Sequence, residues 1–336
     1  MNKEISDRIK IIGLIMTFVI VMYHTGAPGA DLALNEFDAK WNDIFSKCFD
    51  TLAELAMSWF FATSGFLLFL NLKRKNFTVK IKKRIYSLLL PYFLWQMIAV
   101  IKGLLKGYSY DFKAVIKTIF LFDRWPPDGA LWYLYAIFFM ALISPIILFI
   151  FKKKNLAYVV IVLSIILMYR MSIGESALMS YGYFYNIMTY APAYVIGCFY
   201  GHFAEEMNGL GELKYVVGII VIALLVDKLY VGFLMKTVIR MLPVIFLYEV
   251  PVVRMKYDTV LLKHSFLMYA LHQILIGEYR EQIHMALGKV IDHICIVNVA
   301  GRIISLVIVI CVAYVLHWIL ERICPKLLKA LTGGRC

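Results

Sequence analysis

The sequence predicts an all-α, polytopic transmembrane helix bundle of about ten spans, with both termini cytoplasmic. Three observations predict it. The first is composition: 62% of the 336 residues are hydrophobic, 17% are charged, and mean hydropathy is +0.77. A soluble domain is roughly half apolar and a quarter charged. The second is the length of the apolar runs, most of which reach the roughly 17–20 residues that a helix needs to cross a bilayer. The third is where the positive charges fall. Net charge is +13, but the cations sit in short clusters between apolar runs. That is the pattern of membrane topology, so the partner expected is the lipid bilayer and no nucleic acid. The alternating pattern of a membrane barrel is missing. Residues 1–336 read as a single integral-membrane domain.

The first apolar run covers residues 9–25, with Lys3, Arg8 and Lys10 at its start and "TGAPGA" at its end. The layout is close to that of a signal peptide. Pro28 falls where a cleavage site wants a small residue, so a retained first helix is expected. Further runs cover 52–70, 85–105, 130–151, 156–170, 183–200, 215–231, 237–253, 265–283 and 303–320. Connections on the same side of the membrane as the N-terminus carry 21 Lys and Arg, against 11 on the opposite side. This asymmetry puts both termini inside. The segment "GHFAEEMNGLGE" is acidic and fits that map badly. The longest connections, 26–51 and 106–129, are expected to be loops that partly cover an outer opening. Six scattered cysteines without C-x-x-C spacing read as small hydrophobes.

Five stretches could carry chemistry. In "GLIMTFVIVMYHTGAPG", His24 closes an apolar run. Sixteen residues of helix from Arg8 rise about 24 Å, which puts His24 in the outer part of the bilayer. An ionisable group there marks a functional site, or else a structural histidine at headgroup level. In "SWFFATSGFLLFL", Ser64 and Gly65 interrupt aromatics and leucines. Small residues in a span serve close packing, and the flanks are not those of a serine hydrolase. In "KIKKRIYSLLLPYFLW", Lys80, Lys82, Lys83 and Arg84 open a helix that Pro91 can kink. Seven cations between Lys73 and Arg84 exceed what topology needs, and suit an anionic headgroup or a phosphorylated ligand. In "GALWYLYAIFF", Trp132, Tyr133 and Tyr135 fit an aromatic belt. In "HSFLMYALHQILIGEYR", His272, Gln273, Glu278 and Arg280 make the most polar late span, equally suited to an interhelical hydrogen-bond seam. There is no H-E-x-x-H, phosphate loop or dinucleotide glycine pattern, so neither a metal nor a permanently bound cofactor is expected.

Taken in order, these stretches resemble the acyltransferase-3 family, integral-membrane O-acyltransferases of cell-surface polysaccharides and related glycans. "VIVMYH" is similar to the family's apolar run closing on histidine, and "FFATSGFLL" to its F-F-x-x-S-G-[FY]. "KKRIYSLLLPYFLW" resembles its basic start to the third helix, and "ALWYLYAIFF" and "SFLMYALHQILI" its W-[FY]-L and S-F-x-x-Y-x-x-H signatures. Two positions depart from the family pattern. Gly13 stands where members commonly have an arginine eleven residues before the histidine, and Arg84 is followed three residues on by Ser87 rather than a second arginine.

The resemblance implies an acyl-coenzyme A donor from the cytoplasm and, as acceptor, a surface glycan or its lipid-linked sugar precursor. It implies that His24 is the general base, a role that the ordinary imidazole pKa near 6.5 suits. It places the donor phosphates on Arg84, Lys82 and Lys83, with Lys10 the candidate to replace the missing arginine. Ser64, Trp132, Tyr133 and His272 are expected to support the substrates. The transferred group is expected to be acetyl, and the location a bacterial plasma membrane. The alternative is a non-enzymatic membrane protein: a glycan or lipid transporter, or a family member without activity. The paired, Gly/Pro-broken spans of a repeat-built transporter are not found in the sequence.

Overall fold

The computed structural model describes residues 3–26, 35–120, 126–173, 182–207, 231–252 and 260–335, together with Gly211 and Gly218. Among the described residues all regular structure is helical. Helix α1 runs Lys3–His24 and α2 Glu36–Phe69. Helix α3, Phe77–Arg84, passes through one π turn, Ile85–Leu89, into α4, Leu90–Leu105. Then come α5, Phe112–Ile119, α6, Trp132–Leu142, α7, Ser144–Ile150, and α8, Lys154–Ile173. Helices α9, Gly182–His202, α10, Val231–Tyr248, and α11, Val260–Gly288, follow. Helix α12, Ile294–Ile323, and the short α13, Pro325–Thr332, close the described chain.

Four of these stretches are long and apolar enough to cross a membrane: α2, the continuous Arg74–Leu105, α8 and α12. A fifth is α6 with α7, which meet at a 47° bend. Pro145 in the first turn of α7 causes the break, because it has no N–H for the carbonyl four residues back. That carbonyl, of Ala141, instead accepts from Ser144 Oγ at 2.6 Å. Helices α1, α9, α10 and α11 are as long, but charges, tyrosines and prolines lower their hydropathy. The expected span 215–231 lies outside the described residues except for Gly218 and Val231.

Burial is distributed as lipid demands. Helix α12 has the highest mean hydropathy, 2.7, yet only 22% of its apolar window is buried. Helix α2 has 1.5, and 72% of its window is buried. In water the most apolar helix would be the most hidden. Here Ile303, Val307, Val315 and Trp318 of α12 and Val159, Leu163 and Ile166 of α8 face outward, so hydrocarbon is the solvent for those faces.

Helix α2 is the spine, and its main partner is α9. A side chain at Gly65 would strike the Tyr194 carbonyl, one at Gly197 the Ala62 carbonyl, and one at Gly201 the Phe66 carbonyl. Gly197 and Gly201 are four residues apart, the spacing that lets two backbones touch within a bilayer. The role expected of Gly65, close packing, is the one it has.

The connection 26–51 is not the loop that the sequence suggests. Helix α2 already starts at Glu36, where Asn35 Oδ1 accepts the N–H of Asp38 at 2.7 Å. Two acidic residues of this connection, Glu36 and Asp38, occupy the first turn of the helix, where they favour its positive end. The second long connection, 106–129, contains α5.

Candidate functional site

Two cavities meet inside the bundle. The first has a volume of about 640 Å³ and receives His24 and Tyr23 from the end of α1, with Asp50, Ala53, Glu54 and Met57 from α2. Gly129, Ala130 and Trp132 form another wall, and Asn186, Tyr190, Tyr269 and Gln273 complete it. Three polar devices hold this wall in place.

The first device sets His24. Arg302 of α12 donates from Nη1 to the carbonyls of Met22 and Tyr23, at 2.5 and 3.0 Å. Its Nε donates to Asn298 Oδ1 at 3.1 Å, and its guanidinium lies over the Phe49 ring at 4.1 Å. The last carbonyls of a helix have no partner within it, and a cation there is favourable. The second device holds the turn before α6. Gln96, wholly buried in α4, accepts the N–H of Asp128 at 2.8 Å and donates to the Asp128 carbonyl at 3.1 Å. Tyr269 Oη donates to the next carbonyl but one, Ala130. The third device braces Glu54. Arg240, 1% exposed, donates to Glu54 Oε2 at 3.3 Å, to Ser58 Oγ at 3.0 Å and to the Thr189 carbonyl at 3.0 Å. It also lies 4.3 Å over the Tyr190 ring.

His272 stands behind His24, with ring centres 5.2 Å apart. It is fully buried, and its Nδ1 is 2.5 Å from the Tyr269 carbonyl. A carbonyl only accepts, so Nδ1 carries the proton and Nε2 keeps its lone pair. Gln273 also lines a side pocket, where Glu278 is held between Lys102 at 2.5 Å and Lys106 at 2.6 Å.

The second cavity, about 460 Å³, lies one helical turn further along α2. It is lined by Phe60, Thr63, Ser64, Leu67, Leu68, Tyr133 and Ile137, with Ser87 and Leu88 of the π turn. Its charged residues are Lys80, Lys83, Arg84 and Arg335, and no Asp or Glu is among the described residues lining it. Arg84 donates to Ser64 Oγ at 2.6 Å and to the Ser64 carbonyl at 2.8 Å. Lys80 caps α2 by donating to the carbonyls of Leu68 and Leu70, each at 2.6 Å. The π turn starts directly after Arg84 and turns the following residues back to the cavity wall. Single π turns of this kind are frequent at functional sites.

Packed rings connect the walls of the two cavities. Phe60 and Tyr133 line the basic one, and Tyr269 lines the His24 one. Their centres are 5.6 Å apart for Phe60–Tyr133, 6.4 Å for Phe60–Tyr269 and 6.0 Å for Tyr133–Tyr269. Trp132 and Tyr133 are adjacent in sequence but line opposite cavities.

The structure thus places His24 and Trp132 in one cavity, His272 just behind them, and Arg84, Lys83, Ser64 and Tyr133 in the other. It does not bring Lys82 or Lys10 to either; both are exposed on their helices. Gly13, at the family arginine's position, would place a side chain 3.7 Å from Trp59 Nε1. Arg8, the nearest arginine, instead donates to the carbonyls of Val250 and Leu247, at 2.9 and 3.2 Å, beyond and at the end of α10. Sequence reading missed Glu54, Arg240, Arg302 and Arg335. For the first two the signal was available, since each is a charge inside an apolar run. Arg302 and Arg335 lie near run ends, where topology alone accounts for a cation.

A histidine at a helix end facing carboxylates and rings, backed through packed aromatics by a pocket whose charged residues are all cations, is an arrangement suited to passing a group between two substrates. Comparison with known proteins agrees. The model of an acyltransferase domain, that of the acyltransferase-3 family, matches residues 9–318. No curated protein and no solved structure matches the chain. With nearly the whole chain matched and its helices apolar toward lipid, the protein belongs to the acyltransferase-3 family of multi-pass membrane acyltransferases.

Proposed function

We propose that the protein is an O-acyltransferase that moves an acyl group, acetyl in the first instance, from cytoplasmic acyl-coenzyme A to a hydroxyl of a cell-surface glycan or its lipid-linked precursor. One observation carries this reading: a ring that lines the His24 cavity, Tyr269, packs against rings that line the basic cavity, Phe60 and Tyr133, so the two cavities back onto each other through aromatic side chains. With ten spans and both termini inside a bacterial plasma membrane, the basic cavity faces the cytoplasm and the His24 cavity faces out.

In this scheme Arg84 and Lys83 attract the donor phosphates, and Lys82, exposed on α3 outside the cavity, adds only to the long-range positive field. Ser64, held by Arg84, shapes the wall beside the pantetheine arm. The thioester passes the Phe60–Tyr133–Tyr269 layer and presents its carbonyl to the His24 cavity. There Trp132 and Tyr190 offer ring faces to a sugar, while Asp50 and Glu54 accept hydrogen bonds from its hydroxyls. His24 removes the proton of one hydroxyl as its oxygen attacks the thioester carbon. The tetrahedral intermediate collapses with cleavage of the C–S bond, and the imidazolium returns the proton to the departing thiolate. His272, buried against His24, fixes the angle of that ring. Lys10 is exposed on α1, so its part, if the donor reaches it, is to steer by charge.

The test is mass spectrometry of surface glycans and lipid-linked sugars from cells that carry the protein, its His24→Ala form or neither. An acyl mass increment seen only with the unaltered protein is expected. Identical glycans in all three would refute acyl transfer to a glycan.

A further inference from the structure

The basic cavity is completed by a residue from the far end of the chain. Arg335 shares the cavity with Lys80, Lys83 and Arg84, more than 240 positions earlier in the sequence. It lies outside the stretch matched by the family model, which stops at residue 318.

Its position is built, not incidental. Helix α12 ends at Ile323, and Pro325 starts α13 in a new direction. Leu328 and Leu331 of α13 are buried, and Trp95 of α4, 2% exposed, donates from Nε1 to the Leu331 carbonyl at 3.0 Å. The chain then reverses through Gly333 and Gly334, with φ of +61° and +73°, a conformation that glycine adopts without strain. Gly333 lies so close to Ser87 that an added Cβ would come 2.5 Å from the Ser87 carbonyl. Ser87 itself lines the cavity. Past this reversal, Arg335 donates to the Thr332 carbonyl at 3.0 Å and lies 4.2 Å over the Phe266 ring. The strap therefore brings one more guanidinium to the cavity opening, and Arg84 already spends two of its nitrogens on Ser64.

We propose that α13 is a strap that carries Arg335 to the basic cavity, where its guanidinium binds a phosphate of the acyl donor. This rests on the reading of that cavity as the donor site. The pairing suits the chemistry: a planar guanidinium binds phosphate through two parallel N–H donors. An anionic lipid headgroup presents the same phosphate chemistry, so the experiment separates the two sources.

Full-length protein is purified in neutral detergent, and coenzyme A binding is measured for the wild type and for Arg84→Gln, Arg335→Gln, Arg335→Lys and Gly333→Val. Phosphatidylglycerol retention is measured on the same samples. Arg335→Gln is expected to weaken coenzyme A binding about tenfold or more. Arg335→Lys recovers part of the loss, because the charge returns without the fork. Gly333→Val matches Arg335→Gln although the arginine is still present, because the reversal can no longer form. Should Arg84→Gln bind weakly and both Arg335 variants bind like wild type, the strap does not reach the donor and the proposal is overturned, while the donor site stands. Loss of phosphatidylglycerol with unchanged coenzyme A affinity would also overturn it, by giving the arginine to a lipid. If neither Arg84→Gln nor Arg335→Gln alters coenzyme A binding, the cavity is not the donor site at all.

Discussion

His24 is the residue whose chemistry can be tested most directly. Its helix end is held by Arg302 and its ring is backed by His272. The predicted consequence of His24→Gln, which keeps hydrogen bonding but not useful basicity, is a fall in acyl transfer of roughly 10²–10⁴-fold with normal membrane expression. Near-normal acylation of surface glycan by this variant would make His24 structural and His272 the next candidate. Arg84 reports on the other cavity. Losing a charged partner in a partly desolvated anion site costs about 1.5–3 kcal/mol, or roughly ten- to a hundredfold in affinity. Arg84→Gln should raise the KM for acyl-coenzyme A by that factor. An unchanged KM would leave Arg84 as the residue that pins Ser64 and no more. Both side chains were legible as candidates from sequence, His24 because apolar surroundings penalise an ionisable ring, and Arg84 because it closes a cluster of seven cations that exceeds what topology needs. What sequence could not assign was division of labour. Lys80, Lys82 and Lys83 look alike in "KIKK", yet only Lys80 turns in to cap α2, while Lys82 points away.

At the scale of elements, the end of α1 and the α2–α9 seam are the parts most sensitive to change. Arg302→Met removes the donors that hold the carbonyls of Met22 and Tyr23. With that end of α1 free, His24 loses its fixed position, so kcat should fall while the KM for acyl-coenzyme A stays put. A raised donor KM with unchanged kcat would show that Arg302 does not act through His24. In the seam, a methyl at Gly197 meets the backbone carbonyl of Ala62, which cannot move as a side-chain end can. Overpacking of this kind costs about 1–3 kcal/mol. Gly197→Ala should lower the thermal stability of the detergent-solubilised protein, whereas Gly277→Ala, with nothing within 4 Å of the added carbon, should not. Equal melting of the two variants would mean the seam can part without loss. Of the elements, α8 and α9 could be read from apolar runs within about three residues, whereas α1 and α12 start well before theirs, at Lys3 and Ile294. Helix α2 could not, since its first turns are polar, and the α6–α7 bend needed both Pro145 and the packing around it.

Across the whole molecule the testable quantity is orientation. A single exposed cysteine at Lys40 or Lys113 should react with an impermeant thiol reagent in intact cells, and one at Lys75 or Lys153 should react only after lysis. Asp38 is unsuitable, because it is buried and its Oδ1 accepts the N–H of Cys295 at 3.4 Å. Labelling at Lys153 in intact cells would invert the map and put the basic cavity on the wrong side for a cytoplasmic donor.

Sequence by itself determined the class of molecule. Apolar run length and scattered cations are local properties, and a bilayer responds to local properties: each segment must satisfy its own backbone before it meets any other. It also determined some of the residues worth suspecting, because an imidazole in such a run, or a surplus of cations beside one, stands out without any knowledge of its neighbours. The site as a site was decided only by tertiary structure. Glu54 meets Arg240, Arg302 reaches the end of α1 from 280 positions away, and Arg335 returns to a cavity opened by α3. These pairings join residues far apart in the chain, and nothing in the spacing of one run specifies the rotation and depth of another. Packing of side chains between helices sets both, and with them the ring cluster of Phe60, Tyr133 and Tyr269 between one cavity and the other.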